Sequence, residues 1–444
     1  MPESSELTKS RLAERLQGMV NMRQGEGRAI FWSFCYFFSL LSSYYILRPI
    51  RDEMGVTAGI EQMHWLFTGT FVAMLLVVPA FGWVTTRYQR KQFLPIIYYF
   101  FISNILLFYL LFESDSSLTH VARAFFIWLS VFNLFVVSVF WSFMTDLFRN
   151  EQAKRLFGFI SAGGTIGAIA GPAMTALLVQ HIGTGHMLLI SAALLSLSVL
   201  CIRRLITWQT THRATDNSDP DSENQQDKPL AGGVLDGILL VLRSPYLLGI
   251  CVLILLYTTL STFLYFQQAQ IVKAAFADSG TRTAVFASID FAVNTLTLLI
   301  QTFFTARLVK WLGLSLTLAL IPLLLSLGFL ALAFLPVLSL LIAVQVIRRA
   351  GNYAIMRPSR EMLYVVVSRE EKYKAKNFID TVVYRGGDAL SSWLYAGMRS
   401  LGLSLSAIAW VALPLSLLWA WIAFQLGRKQ AVIAMQDKVQ TEGE

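Results

Sequence analysis

The residues of this chain that could do chemistry are charged side chains placed inside or against long apolar runs. Arg48, Arg51, Asp52 and Glu53 close the first run, Asp290 and Asn294 lie one helical turn apart in the eighth, and Arg348 and Arg349 sit deep in the tenth. Arg360, Glu361, Asp380, Arg385 and Asp388 then follow within one dense stretch, 357–393. A charge carried into an apolar span is costly, so such groups face a protein interior or a wet cavity. Guanidinium groups in that setting pair bidentately with carboxylate or phosphate. The chemistry this set can do is therefore the reversible binding of an anion, with Arg48, Arg51, Arg348, Arg360, Arg385 and Asn294 as candidate solute ligands. Asp52, Asp290, Glu361, Asp380 and Asp388 are candidate coupling or gating charges, which would pair with the arginines and release them.

Other chemistries lack their parts. His64, His120, His181, His186 and His212 are scattered near the ends of runs, and Cys35, Cys201 and Cys251 each stand alone in apolar sequence. No nucleophile and base share a region, so no catalytic residue, metal site or cofactor is expected. A sensor would need a folded soluble domain, and no polar stretch is long enough for one. Pro49 is expected to break the first helix, turning Arg48, Arg51, Asp52 and Glu53 inward.

The elements that position these groups follow from composition. Of 444 residues, 55% are hydrophobic, only 14% are charged, and 32 are Phe, more apolar surface than a soluble core can bury. The chain is thus expected to be an all-α membrane protein. Its apolar runs number about twelve at roughly twenty residues each: near 29–47, 63–84, 93–112, 122–145, 157–179, 187–206, 246–267, 284–306, 314–335, 337–356, 378–398 and 403–426. The net charge of +9 collects in short alternate connections, with Arg87, Arg90 and Lys91 in one, Arg149, Lys154 and Arg155 in the next, and Arg307 and Lys310 later. This bias places both termini in the cytoplasm and sets topology rather than nucleic-acid binding.

The longest polar interval begins at 207. It divides the chain into a cytoplasmic segment 1–28, a six-helix bundle 29–206, a linker 207–245, a second six-helix bundle 246–426 and a tail 427–444. Leu12, Leu16, Met19 and Val20 share a helical face and suit a helix lying on the inner membrane surface. Gly163, Gly167 and Gly171 form a small-residue helix face for close packing, expected at the moving interface between the halves. The end of the fourth span, WSFMTDLFRNEQAKRLFGFI, matches the end of the tenth, REMLYVVVSREEKYKAKNFI, through an E-x-x-K turn (Glu151 with Lys154, Glu371 with Lys374), as a duplicated unit would.

Two six-helix halves with a cytoplasmic linker match the layout of major facilitator transporters. A more specific resemblance lies in the motifs. LRPIRD (47–52) resembles the L-R-x-x-K-D element of the ATP/ADP carrier family of nucleotide transporters, and REMLYVVVSREEKYKAKNFID (360–380) resembles its K-E-M-A-Y and E-x-K-x-K-G-K-x-x-I-D elements. Arg385 falls on the arginine of the family's R-L-G-K-S. Arg51 and Arg360 stand where the family has lysine, and Asp388 stands where it has a base. The resemblance implies nucleotide exchange across a membrane. Because guanidinium pairs bidentately with phosphate or carboxylate, Arg51 and Arg360 are expected to be the main anion ligands, with Arg48, Arg348 and Arg385 assisting.

The expected protein is a monomeric, multi-pass secondary transporter of the inner membrane, with a small anionic, nucleotide or other phosphate-bearing solute and the lipid bilayer as its partners. The alternative is a proton-coupled carrier or exporter of another amphipathic solute, such as a siderophore, lipid or drug, with Asp290 or Asp388 titrating.

Overall fold

The computed structural model describes residues 26–87, 90–114, 118–148, 150–213, 234–368, 375–376 and 378–442. The amphipathic segment before residue 26, most of the linker (214–233) and the Glu371–Lys374 turn lie outside the described residues, as does the side chain of Lys154. Everything described is helix, turn or short connection, with no strand among the described residues.

Helix α1 is Gly27–Thr57, and it is followed by α2 (Met63–Arg87), α3 (Arg90–Glu113), α4 (Leu118–Leu147) and α5 (Asn150–Arg213). Within α5, two helices meet at Gly183, whose φ of 80° is open to glycine without a Cβ penalty. A short helix α6 (Val234–Arg243) precedes α7 (Pro245–Ala275), α8 (Ser279–Phe303), α9 (Thr305–Phe334) and α10 (Leu338–Gly351). Then come α11 (Arg357–Leu363), α12 (Tyr384–Ser400) and α13 (Leu405–Glu442). Of the expected linker, residues 207–213 continue α5 and 234–243 form α6, while α13 extends through most of the expected tail.

Helix starts follow local rules. Ser244 accepts a hydrogen bond from the Leu247 amide with Pro245 at the first helical position, where the missing N–H costs nothing. Asp278 caps α8 through the Thr281 amide at 2.7 Å, and that bond holds its carboxyl below its ordinary range.

Nine helical stretches among the described residues are long and apolar enough to cross a membrane, one of them being the Arg155–Thr211 stretch that Gly183 interrupts. The tenth and eleventh expected spans are absent from that set, α10 being only 14 residues before its backbone changes pitch.

Two sequence expectations change here. Pro49 does not end the first helix: α1 runs through it to Thr57. The inward placement of Arg48, Arg51 and Asp52 comes instead from their i, i+3, i+4 spacing on one face. The glycine face is not an interface between halves either. A Cβ on Gly163 would lie 2.6 Å from the Phe34 carbonyl oxygen, on Gly167 2.4 Å from that of Phe38, and on Gly171 2.7 Å from that of Ser42. These glycines let α5 press onto the backbone of α1 within the first group of helices (27–213).

Candidate substrate cavity

Between the first helix group and the second (245–442) lies a cavity of about 1300 Å³. Arg48 and Arg51 reach it from α1, and Arg348 and Arg349 from α10. Arg357 and Arg360 of α11, Lys376, and Arg385 of α12 complete its basic lining. Four carboxylates share that wall, Asp52, Glu361, Asp380 and Asp388. Arg51 and Arg360, from opposite groups, thus face one chamber, and every expected solute ligand lines it, Asn294 included. Asp290 is the exception among the expected charges: it is fully buried behind the wall.

Each charge has a structural reason for its place. The Arg51 guanidinium lies 3.9 Å from the Phe126 ring centroid, its Nε donates to the Phe126 carbonyl at 3.3 Å, and Asp52 is 3.6 Å away. Asp52 in turn accepts a hydrogen bond of 2.9 Å from Tyr265 of α7. One residue further on, and about a hundred degrees around the helix, Glu53 points away from the cavity. There it takes a bidentate pair from Arg282 of α8, at 2.6 and 2.8 Å.

The adjacent arginines of α10 diverge for the same reason. Arg349 pairs with Asp290 of α8, whose other oxygen lies 3.6 Å from Arg48 Nε. One buried carboxylate therefore serves two guanidinium groups from opposite helix groups. Arg348 turns toward α7 and, among the described residues, donates only to neutral partners, Gln345 at 3.0 Å and Ser261. Gln345 is itself fixed by donating to Gln268 at 2.7 Å.

Below α10 the backbone widens into a π turn, Asn352–Met356. Pro358 has no N–H to offer the Ala354 carbonyl, and Thr305 of α9 supplies the missing donor at 2.8 Å. The turn presents Tyr353 and Arg357 to the cavity, with the guanidinium 5.8 Å from the ring centroid. A second π turn, Ile379–Val383, carries Asp380, which lies 3.1 Å from Arg360. Lys376 and Glu361 pair beside them at 2.6 Å, and Arg385 and Asp388 at 3.7 Å. Helical turns of this kind are frequent at functional sites.

Contacts between the two groups gather toward one end of the cavity. Besides Glu53–Arg282 and Asp52–Tyr265, the Trp393 indole of α12 donates to Thr68 of α2 at 3.0 Å and packs its ring against His64 and Trp65. Asn294 donates to the Ala168 carbonyl of α5 at 2.6 Å.

Sequence reasoning missed the Glu53–Arg282 pair and the placement of Arg357 and Lys376 in the cavity wall. Arg282 was visible as a lone base in the first turn of an otherwise apolar run. Its partner was not, because they are 229 positions apart.

What the cavity can do follows from its charge. Eight basic side chains face four carboxylates, and Asp290 behind the wall leaves an excess of three positive charges. Arg348 and Arg357 have no carboxylate partner among the described residues. Such a chamber attracts an anion and disfavours a cation.

Comparison with known proteins places this geometry. Residues 29–371 match the model of the Major Facilitator Superfamily. The chain is 22% identical to ADP,ATP carrier protein 1 of Chlamydia muridarum, over 84% of this chain and 82% of that protein. It is also 22% identical to the protein of that name from Chlamydia pneumoniae, over 68% and 67%. Among solved structures, a POT peptide transporter in complex with alafosfalin superposes with a TM-score of 0.62 at 15% identity, covering 94% of this chain and 98% of that one. The nucleoside transporter NupG gives 0.60 at 13%, over 91% and 99%. At such identities these structures speak for the fold alone.

Proposed function

This chain belongs to the Major Facilitator Superfamily and is a multi-pass secondary transporter rather than an enzyme; on that premise we propose that it exchanges a phosphate-bearing anion, a nucleotide foremost, across the inner membrane by alternating access. The observation that carries this reading is the excess of positive charge in a chamber reached from both helix groups. The ADP,ATP carriers it resembles supply the solute class. Arg51 and Arg360 are the principal ligands, Arg48, Arg348, Arg385 and Asn294 assist, and Asp52, Asp290, Glu361, Asp380 and Asp388 exchange partners as the halves rock. The protein is a monomer of about twelve spans, with 29–206 and 246–426 as its halves and both termini in the cytoplasm. The basic connections support that orientation. A chamber so rich in guanidinium weighs against the alternative of a proton-coupled carrier or exporter of another amphipathic solute.

The test is uptake of labelled nucleotides by the purified protein in liposomes preloaded with unlabelled nucleotide. Arg51→Ala and Arg360→Ala are each expected to lower uptake about tenfold or more, the loss of a charged hydrogen-bonding partner. Full uptake by both variants removes the ligand assignment. Uptake driven by a pH gradient without counter-solute replaces exchange with the proton-coupled reading.

A further inference from the structure

Asp388 differs from the other carboxylates of the cavity. Asp380 and Glu361 each hold a hydrogen-bonded base at the rim, and Asp52 is tied to Tyr265. Among the described residues Asp388 has only Arg385, at 3.7 Å, a distance too long for a hydrogen bond. Its side chain retains 19% exposure to the chamber. Arg51 of the first helix group and Arg348 of α10 line the same cavity as Asp388 and Arg385. Among the described residues Arg348 has only neutral hydrogen-bond partners, and Arg51 shares Asp52 with Tyr265.

Its position is set by the backbone. A Cβ on Gly387 would lie 2.5 Å from the Thr258 hydroxyl oxygen and 3.1 Å from Leu255, so α12 is pressed against α7 at this point. The carboxylate is thereby held in a chamber lined by cations of both groups, in a long ion pair with Arg385 and hydrogen-bonded to no base among the described residues. It is a resident anion in an anion site.

We propose that Asp388 is the charge-selecting residue of the cavity: it takes up part of the cation field and restricts the solute to one or two negative charges in place of three or four. This rests on the anion-binding reading above and deepens it to a class of solute, that of a monophosphate rather than a triphosphate. The physical reason is direct. Each further negative charge on the solute must sit within several ångströms of a fixed carboxylate, and at an effective dielectric constant near 20 that repulsion weakens binding by about tenfold or more. Without the carboxylate, the excess of positive charge in the cavity rises from three to four.

The experiment measures binding of inorganic phosphate, pyrophosphate and tripolyphosphate to the full-length protein in detergent, from the rise in melting temperature with probe concentration. Asp388→Asn keeps the shape and removes the charge. It is expected to strengthen tripolyphosphate binding by about tenfold or more and phosphate binding by only a few-fold. Asp388→Glu keeps the charge and is expected to preserve the wild-type order. Asp388→Ser takes the place of the asparagine variant if that one fails to fold. If the charge-free variant binds all three probes with the wild-type ratios, or gains equally for each, the selection role is overturned while the anion site stands. If neither wild type nor variant binds any probe, the anion-binding reading falls and this inference with it.

Discussion

Between α1 and α5 the helices touch backbone to backbone, with Gly163, Gly167 and Gly171 against carbonyls of α1. Past Gly183, the second helix of α5 meets another face of α1, where Ser39 reaches Ser198 at 2.7 Å and Ser43 reaches Ser191 at 2.8 Å. Phe37 stacks on Phe140 with centroids 4.0 Å apart, and Tyr36 meets Tyr98 at 2.5 Å. In the second group, one π turn follows α10 and another precedes α12, and the side chains around those turns include arginines and carboxylates. The contrast separates a frame from a working surface. Small residues give many weak contacts with no alternative arrangement, because a close-packed seam has no room to slide. Ion pairs near a wet cavity can exchange partners at modest cost, as a solute-binding cycle requires.

The comparison can be broken at the seam. Gly167→Leu drives a side chain into the Phe38 carbonyl and is expected to destabilise the protein by about 3 kcal/mol or more, seen as a lower melting temperature and poor recovery of monodisperse protein. Gly386→Ala in α12, whose Cβ would meet Phe71 at an ordinary 3.6 Å, is expected to leave both unchanged. Equal damage from the two would erase the distinction between groups.

A smaller effect is expected where the groups meet. Glu53 is fully buried, so Arg282→Met leaves a carboxylate without its bidentate partner and costs that closure about 2 kcal/mol. Labelling of Thr262→Cys in the cavity wall by an impermeant maleimide added outside the cell should then rise about tenfold or more. Unchanged labelling would show that the pair does not hold that end shut.

The smallest effect belongs to a single contact between α1 and the second helix of α5. Ser39→Ala is expected to cost about 1 kcal/mol, and adding Ser198→Ala should cost little more, since the first change has already lost the shared hydrogen bond. Additive losses would mean that the two hydroxyls act separately.

The amino-acid sequence by itself determined the membrane class, the helical architecture and the identity of most of the groups that face the cavity. Those features rest on local quantities: the apolarity of runs, the placement of basic connections, and the expense of a charge in an apolar span. The i, i+3, i+4 spacing of Arg48, Arg51 and Asp52 was likewise legible, although the helix break expected at Pro49 was not what turned them inward. Only the tertiary structure decided the pairings. That Asp290 takes both Arg48 and Arg349, that Arg348 is left to neutral partners, that Glu53 finds Arg282, and that the glycine face seals α1 rather than a moving interface all depend on which helices lie side by side. A charge announces its need for a partner wherever it stands, but which partner answers is settled by packing across more than two hundred residues of chain.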